Sequence, residues 1–247
     1  MRRLLFPVTM TFIIQLISAA TDTTISTDTI VNSFDSVKVP VKVTSPSLTE
    51  IAFEHGFPAV GKWLYQADMQ QAHWLGFKWN DKNLIEPINI VFIDTISKTV
   101  SESNDRLLEN LKKAGYSVKP HHSSGYIGYI GGSFYPQLPR VKYHAFSNEI
   151  AEIDNNHGRI FGPCYYDGKY FYTAAFSREV IAPLSKLEHH FSSFDRARDE
   201  LSQSLDKNSA YKIVGFINLN NAIIGDKENT TADHDGVAVV LSLANIH

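Results

Sequence analysis

Pro87-Ile88-Asn89-Ile90-Val91-Phe92-Ile93 is a short, nearly continuous apolar run, the pattern of a strand buried on both faces. Shortly after it, Thr99 with Glu102 three residues later makes a capping box. Val100, Leu107, Leu108, Leu111 and Ala114 then fall on one helical face, and Lys112, Lys113 and Gly115 close the helix. Strand, helix and the following Tyr116-Ser117-Val118 predict a βαβ-like unit. Downstream, Arg159 to Tyr166, the turn Asp167-Gly168 and Tyr170 to Phe176 read as a hairpin. Ser192 and Asp195 begin a second helix with Phe194, Ala197, Leu201 and Leu205 inward. Tyr211 to Leu219 and Val237 to Leu243 are the last two strands. Strands and helices mix without regular alternation, so the expectation is α+β: one domain over residues 37–247, its mixed or antiparallel sheet flanked by helices.

Upstream of that run the pattern is weaker. Ser45-Pro46 opens a segment holding Trp63, Trp74 and Trp79, whose mixed period reads as short helices and loops. Val37, Val39, Val41 and Val43 alternate with Lys38, Pro40 and Lys42, a strand that Pro40 confines to an edge. Residues 21–36 read as a flexible Ser/Thr-rich leader. Residues 1–20 have the form of a secretory signal peptide: Arg2 and Arg3, a mostly apolar run from Leu4 to Ile17, then Ser18-Ala19-Ala20 before a cleavage point at Thr21. The alternative is an anchoring helix, but the run falls short of the ~20 residues a span needs. The expected location is extracytoplasmic, secreted or periplasmic, with no integral span in the mature chain.

Composition excludes several classes. The chain of 247 residues is 43% hydrophobic and 20% charged, with a formal charge of −3 and no basic run. It therefore lacks the electrostatic footprint for nucleic acid and the polybasic segment that holds a protein to an anionic membrane. A single cysteine, Cys164, rules out an intramolecular disulfide and a thiolate zinc cage. Among Phe161, Tyr165 and Tyr166 it reads as a buried, inert thiol; a nucleophile paired with one of the ten histidines is the alternative.

Two polar segments are candidates for chemistry. Asn155-Asn156-His157-Gly158-Arg159 gathers amides, an imidazole and a guanidinium at the start of a hairpin strand. There His157 would act as acid–base, Arg159 would clamp a phosphate or carboxylate, and Gly158 would permit a sharp turn or a close approach to ligand. A turn whose amides satisfy the local backbone is the competing account. Asp233-His234-Asp235-Gly236 precedes the final strand and offers oxygen and imidazole ligands for calcium or zinc, against the alternative of a solvated acidic turn. Asn229-Thr230-Thr231 is a glycosylation acceptor by pattern.

The run from Gly125 to Gly132 matches neither a dinucleotide fingerprint nor a P-loop. Tyr126, Tyr129 and Tyr135 would make an aromatic ligand platform; alternatively the run is a glycine-kinked strand with its aromatics packed inward. His121-His122 and His189-His190 are adjacent pairs, and neighbours on a strand face opposite sides, so neither pair is a two-ligand site by itself. H-E-x-x-H, G-x-S-x-G and zinc-finger spacings are missing from the sequence.

Within roughly Pro87 to Leu205 the pattern resembles the LssY C-terminal domain of bacterial envelope proteins. Three pieces carry the likeness: Pro87 to Ile93 with the helix ending Leu111-Lys112-Lys113-Ala114-Gly115-Tyr116; Asn156-His157-Gly158-Arg159-Ile160-Phe161; and Phe194-Asp195-Arg196-Ala197-Arg198-Asp199-Glu200-Leu201. Where that family tends to carry two histidines and a tryptophan in the middle motif, this chain has one histidine and Phe161. The resemblance implies architecture rather than a reaction. Relatives fused to membrane phosphatase segments do not lend that activity to a chain without one.

Two functional readings stand. In the first, the chain is a non-catalytic module that binds a glycan, peptide or small anionic ligand, with Asn155, Asn156 and the tyrosines as contacts. In the second it is a hydrolase-like enzyme for an anionic or phosphorylated envelope substrate, using His157 and Arg159 with a cation at Asp233, His234 and Asp235. An exposed aromatic stripe favours the first; convergent polar groups at a concavity favour the second.

Overall fold

A computed structural model of the chain describes residues 46–181 and 188–243. The expected signal peptide, leader and Val37–Val43 strand lie outside the described residues. In chain order the elements are β1 (Ile51–Ala52), β2 (Val60–Gly61), β3 (Tyr65–Gln66), β4 (His73–Trp79), β5 (Lys82–Ile85), β6 (Ile90–Asp94), α1 (Val100–Lys113), β7 (Ser117–Lys119), β8 (Tyr126–Ile130), β9 (Ser133–Pro136) and β10 (Ala145–Ser147). They continue as β11 (Asn155–Tyr166), β12 (Lys169–Ile181), β13 (His189–Ser193), α2 (Asp195–Asn208), β14 (Tyr211–Asn218), β15 (Asn229–Thr230) and β16 (Val237–Leu243). The chain is thus a strand-rich single domain with two α-helices among the described residues.

The main sheet runs β14-β16-β6-β12-β11-β10-β7, with β13 also on β12. It is mixed: β6 lies parallel to β16 and antiparallel to β12. The βαβ-like expectation is corrected here. β7, which follows α1, pairs with β10 at the far edge, and the parallel partner of β6 comes from the C-terminal end of the chain. The Trp-rich segment is corrected as well: its residues form short strands, with β1, β2, β3, β8 and β9 in one small sheet and β4, β5 and β15 in another. Trp74 is buried there with its indole N–H donating to Ser177 Oγ at 3.0 Å, so tertiary contact supplies what local period does not.

Each face of the main sheet carries its own core. Ile90 and Phe92 of β6 pack with Leu107 and Leu111 of α1 and Leu201 and Leu205 of α2. Val91 faces the other way, with Val60, Ile130, Phe161 and Phe171 under the small sheet. Strict alternation along a central strand covered on both sides produces that split. In α1 the Thr99 side chain caps the Glu102 N–H as expected, but Val100 is exposed, and Ser103 and Asn104 turn inward to Tyr172 Oη, each at 2.9 Å. The β11–β12 hairpin turns at Asp167 and Gly168, both with positive φ.

Candidate active site

Period two places Asn155, His157 and Arg159 on one face of β11 and Asn156, Gly158 and Ile160 on the other. The second face belongs to the helices. Asn156 Nδ2 donates to Glu200 Oε2 of α2 at 2.6 Å and to Tyr116 Oη at 3.2 Å, and Ile160 joins the helix-side core. Asn156, expected as a ligand contact, is therefore a fully buried strut between sheet and helix. Gly158 lies within β11 and not in a turn. A Cβ there would lie 2.3 Å from the Ala175 carbonyl oxygen and 2.4 Å from the Phe176 ring, so the glycine lets β11 seat against β12.

The first face gathers a polar centre. Glu179 of β12 stands directly opposite Asn155 in register. Asn155 Nδ2 donates to Glu179 Oε1 at 2.6 Å and to the Ile153 carbonyl at 2.9 Å. That fixes the carboxamide so that its Oδ1 faces His157 Nδ1, at 2.9 Å. Nδ1 must then donate, and the lone pair of the imidazole sits on Nε2. His122, from the segment between β7 and β8, stacks on the His157 ring with centroids 4.6 Å apart. His189 of β13 brings Nδ1 to 3.1 Å from Glu179 Oε2. His122, His157 and Glu179 are buried, whereas the His189 side chain is a third exposed and stands at the mouth. Burial, and next the charge of Arg159, push the His157 imidazole well below its ordinary value. The same two causes, with His189 adding to them, push His122 down to about 4. Both rings are neutral at neutral pH.

Arg159 extends from the same face but is only 1% exposed. Its Nη2 donates to the Ser123 carbonyl at 2.7 Å and to Ser123 Oγ at 2.9 Å, and the guanidinium lies 5.1 Å from the Tyr126 ring centre. Its Nε has no hydrogen-bond partner. The buried Glu86 is its counter-charge: burial pushes that carboxyl up, and Arg159 opposes the shift. Tyr126 also walls a groove of 350 Å³ shared with Ser124, Gln137, Val141 and Lys142.

The proposed platform is corrected. Tyr126 and Tyr129 are buried and Tyr135 is half-buried. Tyr126 Oη donates to Ser123, and Tyr129 packs edge-on to Phe134. Burial, with Cys164 beside it, pushes the Tyr135 hydroxyl up to about 12. This is the inward-packed, glycine-kinked strand, and Gly128 has the Phe161 ring where a Cβ would go. Cys164 is buried and its thiol is pushed up by that burial.

The second polar segment has a different occupation. Asp235 Oδ1 accepts from Arg198 Nη1 at 2.7 Å, and the same guanidinium lies 3.0 Å from Asp195 and 2.8 Å from Asp199. Asp233 turns away to accept from the Phe194 N–H at 2.9 Å and from Ser193 Oγ. His234 is held at both nitrogens, by Asp195 at 3.2 Å and by Asn221 Oδ1 at 2.9 Å. The trio that comes together is thus Asp195, His234 and Asp235, with Asp233 outside it and a guanidinium already among the carboxylates. Arg159 bonds Ser123, not Asp233 or Asp235, and the residues that hold His157 and those that hold His234 are not shared. Asn229 accepts from Asn83 within β15 and is half-buried.

No protein-family model matches the chain, and no curated protein or solved structure gives a significant match. Fold and site by themselves define the class: a β-rich α+β domain with a sequestered His/Glu/Arg centre on the non-helical face of its main sheet. Sequence reasoning found two of its members, His157 and Arg159, and missed Glu86, His122, Glu179 and His189. A usable signal was present in the two histidine pairs, each of which sends one ring inward.

Proposed function

We propose that this protein is a hydrolase-like enzyme whose reaction centre is the His157 cluster, acting on an anionic or phosphorylated substrate outside the cytoplasm. The observation that carries this reading is the convergence of His122, His157 and Glu179 at one buried point, with the charge of Arg159 acting on both rings, in place of an aromatic platform at Tyr126, Tyr129 and Tyr135. Building such a cluster is costly in desolvation, and a stability role alone would be met more cheaply by apolar packing. A neutral His157 oriented by Asn155 suits general base work. Its Nε2 takes a proton from water as the oxygen bonds to an acyl carbon or phosphorus. The bond to the leaving group breaks, and the imidazolium returns that proton to the departing oxygen. Arg159, with its spare Nε–H, contributes a positive field at the centre, and the groove beside Tyr126 supplies the concavity for the substrate body. The likeness to LssY C-terminal domains belongs to the same proposal and supports the envelope location.

The test is turnover of chromogenic acyl, phosphomonoester and phosphodiester substrates by the purified protein. His157→Gln is expected to lower kcat/KM by ~10²–10⁴-fold. No turnover of any substrate by folded protein, or an unchanged rate in the variant, would overturn the reading.

A further inference from the structure

The geometry points to a divalent transition-metal site of the zinc class, formed by His122, His157 and Glu179 with His189 as the fourth ligand. This inference rests on the reading above for its chemistry but not for its test. One ligand atom from each of His122, His157 and Glu179 lies within 4.8 Å of the other two. Around a tetrahedral zinc ion with ~2.0–2.1 Å bonds, ligand atoms stand about 3.4 Å apart, so a small inward movement closes the set. A second, independent observation points the same way. His122 Nε2 is buried without any hydrogen-bond partner, although the residue is only 6% exposed. Buried polar atoms left unpaired are rare, and each calls for a ligand, ion or water.

Charge and the surrounding bonds agree. Glu179 is 2% exposed, and its bonding partners are Asn155, His157 and His189, with no lysine or arginine among them. A divalent ion would supply the missing positive charge. Asn155 already does what outer partners of metal sites do: it fixes the His157 tautomer through Nδ1, leaves Nε2 as donor of the lone pair, and bonds the ligating carboxylate. Two imidazoles and one carboxylate suit zinc, iron, cobalt or nickel, whereas calcium and magnesium prefer oxygen-only sets. His189, a third exposed, reaches Glu179 Oε2 through Nδ1 at 3.1 Å but stands outside the three-residue group, so it closes the sphere only by swinging inward and otherwise leaves that position to water. With an ion bound, His157 would serve as one of its ligands, and the metal would supply the acidified water for the same hydrolytic class of reaction.

The test is metal content and affinity on the full mature chain, stripped with a chelator and reloaded with zinc or cobalt(II). The expected result is one retained ion per chain and the visible absorption of four-coordinate cobalt. His122→Ala is expected to weaken zinc by more than 100-fold and Asn155→Ala by ~10–100-fold, while Asp235→Asn leaves it unchanged. Should His122→Ala fail to fold, His189→Ala at the exposed mouth carries the same measurement and is expected to weaken zinc. No retained ion, unchanged affinity in the histidine variants, or loss through Asp235→Asn would overturn the inference. Zinc bound without turnover leaves the site standing and removes the hydrolase; turnover by a protein that retains no ion does the reverse.

Discussion

At the scale of single residues, identity here is governed by what stands across the pleat. Gly158 illustrates this with an energy. The Ala175 carbonyl of β12 and the Phe176 ring occupy the volume a methyl group would need; the first is held in the sheet ladder and the second sits in the helix-side core, so neither yields readily. Gly158→Ala is therefore expected to destabilise by ~1–3 kcal/mol in urea unfolding. Since Gly158 faces the helices, the zinc affinity of the folded fraction should be retained. A variant as stable as the native protein would show that β11 and β12 separate easily at this point. Asn155 and Asn156 make the complementary case. The same residue type, one position apart, orients a histidine on one face and braces a helix on the other.

At the scale of elements, α2 is fastened to the segment before β16 by Arg198. Its guanidinium is 6% exposed and contacts Asp195, Asp199 and Asp235, and it also donates to the Val237 carbonyl at 2.9 Å. Burial tends to raise the Asp235 carboxyl, but the Arg198 bond, the Val237 N–H and the Arg198 charge together hold it below the ordinary value. A carboxyl lowered in the folded state stabilises that state above its unfolded pKa of ~3.9, and the contribution fades as pH falls through the folded value. The urea midpoint is thus expected to drop as pH is lowered below about 4, with Asp235→Asn flattening part of that acid limb. The effect is modest, because the Asp235 side chain is 47% exposed and solvent screens the pair. Superimposable pH curves for the two proteins would show that the clamp adds nothing.

At the scale of the whole molecule, two layers of apolar packing on opposite faces of the main sheet divide the labour. The helix side holds the larger core, and the small-sheet side holds the polar centre, with Tyr126 between Arg159 and the groove. A domain with one cysteine gains no intramolecular disulfide, so this double burial is its main source of stability. Export itself is testable: the mature protein is expected to begin at Thr21 and to be recovered outside the cytoplasm. N-terminal sequencing that still reads Met1 on cytoplasmic material would refute it.

Much of the fold was legible because its signals are short-range. The apolar run before α1, the Thr99 cap, the Asp167-Gly168 turn, the inward stripe of α2 and the last strand all depend on neighbours within a few residues. The sequence by itself determined these elements, together with the absence of a disulfide and the presence of His157 and Arg159 on one strand face. Only the tertiary structure decided which strands pair and which polar groups meet. Glu179 shows why. Register counted back from the Tyr166–Lys169 pair would set it opposite Asn156, on the helix face. The irregularity between Phe161 and Cys164 slips the register by one residue and sets it opposite Asn155 instead. The slip falls at Gly162-Pro163, where Gly162 has φ +134° and a Cβ would lie 2.8 Å from the Phe171 carbonyl oxygen; the dipeptide marks an irregularity but not which residues it brings opposite. The meeting of His122 and His189 with Glu179 likewise depends on the loop after β7 and on β13 reaching the same face. Such contacts join residues distant in sequence, and their free energy comes from cores that exist only once the sheet has closed.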